Sequence, residues 1–453
     1  MAAETKMPHV RTRGAAFVGL FMASAVAAGP AAAQDSNARI AALEAQLQAL
    51  MAEVEALRAE QAEMKAAPAS PVVRAATGAA VIEQPPTEGV SGHPFFPAAP
   101  EGRRTGVLGT GNDRVRLTFS GQINRSLNTV NDGRSTRTYH VDNENASTRF
   151  RFLGETAEYA GFRAVSLFEF EFMSNRSLVV NQRNQSGNEQ ISRRLFDIGV
   201  NNNRYGTFTL GHGWMASDGT SELDISGITT SAWPSIHFGY GAMLFTDDNG
   251  LTDRTVLAAM DSLDGLSRRD RIRYDSPVIQ GFQISTSAAA EDAYDVALRW
   301  AGTAPGARFL VGGSYWRDNS DTPFGSKFDG WSASGTVRLE GNDAWYDGFS
   351  VVGAVAQRNF DDRDNKPFYW YGKLAYTTNF WEFGRTGFAV NYASYDQFAA
   401  RDEKGDMIGV GFSQNVDPLG LELYANFNYL TLDSSTINYK DMWVLQTGMM
   451  VRF

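Results

Sequence analysis

The chain has 453 residues, a net charge of -10 and no cysteine, which excludes disulfides, thiolate metal sites and a cysteine nucleophile. The negative charge argues against a nucleic-acid partner. The mean hydropathy of -0.30 is that of a soluble protein, yet 12% of the residues are aromatic, a combination expected of strands that face lipid on one side and water on the other.

Residues 1–33 have the pattern of a secretory signal peptide. A basic start precedes an apolar stretch from Gly14 to Ala28, and the small residues Ala31 to Ala33 form a cleavage site before Gln34. A membrane anchor is the competing interpretation, but the apolar stretch is shorter than the roughly 20 residues that a spanning helix needs. We therefore expect export from the cytoplasm and removal of this segment.

Residues 35–65 follow a heptad pattern that predicts a periplasmic coiled coil. Its core positions are Ile40, Leu43, Leu47, Leu50, Val54, Leu57, Gln61 and Met64. Glu53 at a g position would meet Arg58 at an e position of a parallel neighbour. A single amphipathic helix lying on the rest of the protein is the alternative, and the heptads alone leave the number of chains open. Residues 66–112 are rich in Pro, Ala and Gly and are predicted to be a linker.

Residues 113–453 contain recurrent alternating segments separated by turns, which predict an all-β transmembrane barrel of about 16 antiparallel strands. The segments lie at 114–128, 147–158, 161–173, 193–201, 205–212, 269–276, 281–290, 293–301, 307–316, 328–340, 347–359, 367–378, 384–395, 405–416, 421–432 and 441–453. Short and long connections mostly alternate, as in bacterial barrels with periplasmic turns and external loops. The polar face carries charge in many strands, which fits a water-filled lumen better than the core of a soluble sandwich.

The last strand places Trp443, Leu445, Met449 and Val451 on one face and ends at Phe453. Outer-membrane lipid can cover such an apolar face, because closure of the sheet into a barrel pairs all backbone polar groups within the protein. The terminal Phe453 resembles the signal by which the bacterial barrel-assembly machinery recognises its clients. The expected localisation is therefore the bacterial outer membrane, with the coiled coil in the periplasm.

The segment between residues 214 and 268 is too long for an ordinary hairpin loop, and loops of this length are usually functional. It carries the acidic residues Asp218, Glu222 and Asp224. By strand alternation, six arginines are predicted to face the lumen: Arg116, Arg149, Arg151, Arg163, Arg271 and Arg273. Acidic and basic groups across a narrow pore would set up a transverse field that selects charged solutes. The alternative is that these arginines only pair with acids of the wall.

Two motifs resemble the general Gram-negative porin family: Arg271 to Pro277 followed by Gly281-Phe282, and upstream Gly206 to Gly211. With the heptads and linker, the mature chain most resembles the DcaP-like porins, trimeric channels with N-terminal periplasmic coiled coils. The resemblance implies a homotrimer and a third external loop that folds back to narrow the lumen. His212-Gly213 stands where such porins often carry a basic residue and an amide, so the charge at that lumen position is open.

No Gly-x-Ser-x-Gly elbow, HExxH or phosphate loop is present, so we expect neither an enzyme nor a cofactor. The Asp-rich loop pieces at 247–248 and 361–364 are explained more simply as solvated external loops than as calcium sites, and we expect no metal, although the sequence leaves calcium open as the alternative. The expected function is a porin for passive diffusion of small hydrophilic solutes that favours anions such as dicarboxylates. The alternative is a structural or adhesive protein with a blocked lumen, in which the stalk touches peptidoglycan.

Overall fold

The computed structural model describes residues 111–112, 114–187, 189–290, 292–320, 326–341 and 348–453. The predicted signal peptide, the coiled coil with its core from Ile40 to Met64, and nearly all of the linker lie outside these residues and stay predictions. No helix in the described part of the chain is both long and apolar enough to cross a membrane.

The strands are β1 (Gly111–Asn112), β2 (Val115–Asn131), β3 (Thr136–Asp142), β4 (Arg149–Thr156), β5 (Phe162–Met173), β6 (Gln190–Asn202), β7 (Gly206–Trp214), β8 (Leu244–Thr246), β9 (Leu251–Thr255), β10 (Arg268–Asp275), β11 (Phe282–Ala289), β12 (Ala293–Ala304), β13 (Ala307–Asp318), β14 (Phe328–Leu339), β15 (Phe349–Phe360), β16 (Phe368–Trp381), β17 (Gly384–Asp396), β18 (Lys404–Val416), β19 (Leu421–Asp433) and β20 (Met442–Arg452). Single helical turns lie at Glu144–Ala146, Ile236–Gly239, Val256–Ala259 and Asp417–Leu419.

The wall is a closed antiparallel barrel of 16 strands, which confirms the predicted fold class. Strands β3 and β4 together make one wall strand, because both pair with β2, through Arg125 with Asp142 and through Gln122 with Arg149. The sequence predicted only the part of that strand that is β4, since residues 143–148 interrupt the alternation. The hairpin of β8 and β9 was also not predicted and lies within the long loop.

The barrel closes where β20 pairs with β2. The backbone of Phe453 makes two hydrogen bonds with that of Gly121, of 2.8 and 3.0 Å. The ring of Phe453 lies 5.9 Å from that of Phe119, measured between centroids. The C-terminal residue is therefore part of the seam between the first and last wall strands.

Alternate residues of each wall strand face opposite sides. In β5, Phe168 faces out and is 40% exposed, while its neighbour Glu169 faces in and is 1% exposed. In β16, Leu374 faces out at 57% and Lys373 faces in at 2%. The outward set is largely apolar, as lipid contact requires.

One side of the interior is a packed apolar core. Residues of the long loop between β7 and β10, among them Tyr240, Phe245 and Met260, pack against inward-facing residues of β15 to β20, such as Tyr395 and Met407. All five side chains are at most 1% exposed. This core, which also includes Val130 of β2 and Val141 of β3, fills part of the interior in which the sequence predicts a water-filled lumen.

Candidate functional site

Two buried ion pairs of the wall lie beside the point where the long loop leaves β7 and rejoins β10. Arg271 donates to both carboxylate oxygens of Asp197, Nη1 to Oδ1 over 2.6 Å and Nη2 to Oδ2 over 3.0 Å. Arg273 pairs with Asp275 at 2.8 Å and donates to the backbone carbonyl of Met215 over 2.8 Å. These two arginines, predicted to line the pore, lie at the root of the loop with their charges already neutralised.

Gly213 explains how the Arg271–Asp197 pair fits against the wall. A Cβ at this position would lie 2.2 Å from Asp197 Oδ2 and 2.7 Å from Arg271 Nη2. His212 belongs to the opposite face of β7, where its Nδ1 lies 3.4 Å from Asp270 Oδ1. The guanidinium of Arg271 therefore lies on the inner side of the wall beside Gly213.

Asp224 anchors the loop to the opposite wall. Its carboxylate pairs with Lys373 of β16, and both side chains are fully buried. Lys373 Nζ also donates to the carbonyl of Ala232 over 2.8 Å, and Asp224 Oδ1 accepts from the backbone of Ser226 over 2.7 Å. Lys373 of β16 therefore holds the loop at both Asp224 and Ala232.

Three arginines surround one carboxylate on the inner face of β4, β5 and β6. Glu169 lies 2.5 Å from Arg151, 2.9 Å from Arg194 and 3.8 Å from Arg149. The sequence predicted Arg149 and Arg151 but missed Arg194. A bulge opposite Glu169 turns both Arg194 and Leu195 inward, whereas strict alternation would put two adjacent residues on opposite faces. These four groups carry a net positive charge, of which Glu171, the register partner of Arg149, offsets a part.

A cavity of about 380 Å³ lies between this wall and the loop. Its charged lining residues are Glu144, Glu171, Arg176, Arg194, Asp218, Glu222, Asp261, Asp264, Arg268, Arg269 and Arg358. The indole of Trp214 is flanked by two guanidiniums, with Arg194 at 4.8 Å and Arg268 at 4.5 Å from the ring centroid. The long loop contributes four of the six carboxylates, and Glu144 and Glu171 come from the β3–β4 connection and from β5. The five arginines come from strands β6, β10 and β15 and from the β5–β6 connection.

The loop carboxylates of the cavity are close to one another. Glu222 accepts from Trp233 Nε1 over 3.1 Å and from Ser262 Oγ over 2.9 Å, and Asp264 accepts from the backbone of Gly219 over 2.7 Å. Burial, and then repulsion from Asp264, raises the pKa of both Asp218 and Glu222 well above the usual range. No group of three or more residues suited to a metal ion is present in the part of the chain that the structure describes.

The other two predicted lumen arginines lie at the end with the short turns. Arg116 pairs with Glu155 at 2.6 Å and is largely exposed. Arg163 is exposed near the start of β5. The structure thus brings Asp218 and Glu222 to one cavity and puts Arg149 and Arg151 in contact with Glu169 beside it. It places Arg116 and Arg163 at a rim, and Arg271, Arg273 and Asp224 in buried contacts of the loop.

The Gram-negative porin family model matches residues 70–435 of the chain. Among solved structures, the anion-selective porin from Comamonas acidovorans is 16% identical, with 75% of this chain and 100% of that one covered and a TM-score of 0.51. OmpT of Vibrio cholerae is 13% identical, with 77% and 100% covered and a TM-score of 0.51. The channel DcaP of Acinetobacter baumannii is 11% identical, with 76% and 99% covered and a TM-score of 0.49. A search of curated proteins found no match.

Proposed function

We propose that this chain, which belongs to the Gram-negative porin family, lets small hydrophilic solutes diffuse passively through the outer membrane. In this proposal the channel favours anions such as dicarboxylates. The family and the closed barrel make it an outer-membrane channel protein. The preference for anions is the finer proposal, and one structural relative of low identity is described as anion-selective.

The observation that carries the anion preference is the cluster of three arginines around Glu169. One carboxylate neutralises at most one guanidinium, so Glu169 and its three arginines keep an excess of positive charge, even with Glu171 beside Arg149. In a narrow aqueous passage with low-dielectric walls, such a charge raises the local concentration of anions.

The predicted pore residues divide into three roles in this proposal. Arg149 and Arg151, joined by Arg194, supply the basic wall, and Asp218 and Glu222 supply the acidic surface across from it. Arg271, Arg273 and Asp224 hold the loop in place through their buried ion pairs. Arg116 and Arg163 act on solutes at the periplasmic mouth.

The reversal potential of the channel in a salt gradient tests the preference. Arg151→Gln removes one charge from the wall cluster, so we expect the reversal potential to shift toward cations. Arg183→Gln is the matched control, because Arg183 pairs with Asp253 in exposed external loops, where screening is strong. A wild-type channel that prefers cations, or an unchanged potential in Arg151→Gln, would contradict the proposal.

The second candidate is a structural or adhesive protein with a blocked lumen, in which the stalk reaches peptidoglycan. The apolar core that fills one side of the barrel is the observation in its favour. Conductance separates the two functions, since a blocked barrel inserted in a bilayer carries no current at any voltage.

We also propose a homotrimer joined by the predicted periplasmic coiled coil of residues 35–65. Its parallel heptads would hold three chains at the same end. The barrel-assembly machinery would recognise the terminal strand through Phe453, whose seam position supports this role. Unheated protein in mild detergent should migrate as a trimer, and a monomer at all concentrations would exclude the assembly.

A further inference from the structure

A short segment between β3 and β4 reaches from the wall into the barrel. It consists of residues 143–148 and contains the helical turn Glu144–Ala146. Asn145 Nδ2 donates to the carbonyl of Thr229 in the long loop over 3.4 Å. Glu144 and Asn145 both line the cavity of about 380 Å³. This segment therefore gives the cavity a second lining element from the first strands of the wall, in addition to the long loop.

Glu144 uses only one of its carboxylate oxygens within the protein. Its Oε1 pairs with Arg176, and 6% of its side chain is exposed. Its Oε2 is buried and has no hydrogen-bond partner in the described part of the chain, and the same is true of Asn145 Oδ1. Buried acceptors without a donor are rare in folded proteins, because they lose their hydrogen bonds to water. Two acceptors in this part of the cavity can therefore each take a hydrogen bond from a solute.

The charge around these acceptors favours a cationic donor. Glu171 of β5 also lines the cavity, and its carboxylate repels that of Glu144. The ammonium group of a solute would offset this repulsion and could donate to both Glu144 and Asn145, since it carries several N–H donors. Hydrogen bonds between ionised partners are stronger than those between neutral groups. An amino group is therefore the solute group that best fits this part of the cavity.

Groups that suit a carboxylate lie on a nearby strand. Arg194 of β6 lines the cavity, with its guanidinium over the ring of Trp214. Nε1 of Trp214 is a buried donor without an acceptor among the residues that the structure describes. Only β5 separates β4 from β6, so the two strands lie about 10 Å apart. The long side chains of Glu144 and Arg194 shorten this gap, so that one small solute can contact both.

We propose that the cavity takes amino dicarboxylates such as the acidic amino acids, with the amino group at Glu144 and Asn145 and a carboxylate at Arg194 and Trp214. The inference rests on the proposed porin function and names the class of anion that fits its cavity. The lining holds six carboxylates and five guanidiniums, so it offers partners for both charges of such a solute. A dicarboxylate without an amino group meets the same arginines but leaves Glu144 Oε2 without a donor.

Glutarate and L-glutamate test the proposal, because they share a carbon chain with a carboxylate at each end and only glutamate carries an ammonium group. Each is added to the full-length protein in planar bilayers at neutral pH, and the reduction of ion current measures binding. We expect glutamate to act at an about tenfold lower concentration, through its charge-assisted hydrogen bonds. Attraction by charge alone would favour glutarate, which is the more negative solute. Equal effects, or a stronger effect of glutarate, would overturn the proposal and leave an anion-selective channel intact.

Glu144→Gln tests the site of the amino group. The variant keeps the size of the side chain and removes its charge, so the preference for glutamate should disappear while glutarate still reduces the current. Glu340→Gln is the matched control and should keep the wild-type preference, because Glu340 pairs with Arg308 just after β14 and does not line the cavity. An unchanged preference in Glu144→Gln would overturn the proposal. The comparison of the two solutes on the wild-type channel needs neither variant, so it decides the question if Glu144→Gln does not assemble.

Discussion

The arginines on the inner wall differ in how far their charge is neutralised by neighbours. Arg271 has a bidentate partner of its own, Asp197, and both are almost fully buried. Arg149, Arg151 and Arg194 share Glu169. A neutralised and buried guanidinium contributes to folding, whereas one that shares its counterion keeps a field that solutes can sense. In the proposed channel, the contact partners therefore separate the arginines that hold the fold from those that act on solutes.

Asp197→Asn should be strongly destabilising. It leaves Arg271 buried without a counterion, and breaking a buried pair on one side costs about 3–5 kcal/mol. Urea unfolding of the barrel, followed by gel mobility before heating, measures the change. Asp253→Asn is the control, since its pair with Arg183 is exposed and such pairs contribute at most about 1 kcal/mol. A similar small effect in both variants would show that the Arg271 pair is not needed for folding.

The proposed anion preference should grow as pH falls. Burial and the nearby Asp264 carboxylate raise the pKa of Asp218 and Glu222, so these carboxyls become neutral at a higher pH than ordinary ones. In their neutral state they no longer offset the arginines of the cavity. As pH rises through the raised pKa values they ionise, and the preference declines. Reversal potentials from mildly acidic to mildly alkaline pH measure this slope, and Glu222→Gln should flatten it. A preference for anions that strengthens with rising pH would contradict this reasoning.

At the scale of elements, the long loop is held as a part of the fold. Its apolar residues join those of β15 to β20 in one core, and the Lys373–Asp224 pair adds a polar anchor. Ile228 and Ala232 of the loop pack against Ala375 and Ala389 of the wall close to that anchor. Because packed interiors tolerate little displacement, we expect the loop to keep one position inside the barrel.

Lys373→Met should loosen the loop. The substitution leaves the Asp224 carboxylate buried without a cation, at a cost of about 3–5 kcal/mol. We expect larger current fluctuations in single-channel recordings as the loop leaves its position. The double variant Lys373→Met with Asp224→Leu removes both charges and should restore steady currents. Steady currents in the single variant would show that the apolar core alone holds the loop.

At the scale of the whole molecule, the closed sheet leaves no free edge and depends on one seam between β2 and β20. The seam needs a small residue at Gly121, since a Cβ there would lie 2.8 Å from two ring atoms of Phe453 and 2.9 Å from the carbonyl of Arg149. Closure supplies hydrogen-bond partners for the backbone groups of the first and last strands, and lipid cannot supply such partners.

Gly121→Ala should therefore impair closure of the barrel. The added methyl group displaces the ring of Phe453 from the seam, so we expect a lower unfolding temperature and less protein inserted in the outer membrane. Gly372→Ala is the matched control in the middle of β16, where nothing lies within 4 Å of the added atom. Equal losses in the two variants would assign the effect to strand glycines in general and not to the seam.

The sequence by itself determined the barrel, because strand alternation is a local property: each residue's side of the sheet follows from its neighbours. All sixteen predicted segments have a wall strand in the structure. The terminal Phe453 and the long segment after β7 were also evident from the sequence alone.

Only the tertiary structure decided which of the inward charges meet. Arg194 turns inward at a bulge that depends on the pairing of β5 with β6, and Asp224 meets Lys373 across 149 positions of sequence. The fold of the loop onto β15 to β20 depends equally on distant contacts, although apolar residues such as Met243 and Phe245 in so long a loop were a signal that it packs. Ion pairing and loop packing are long-range, so alternation along one strand carries no information about them.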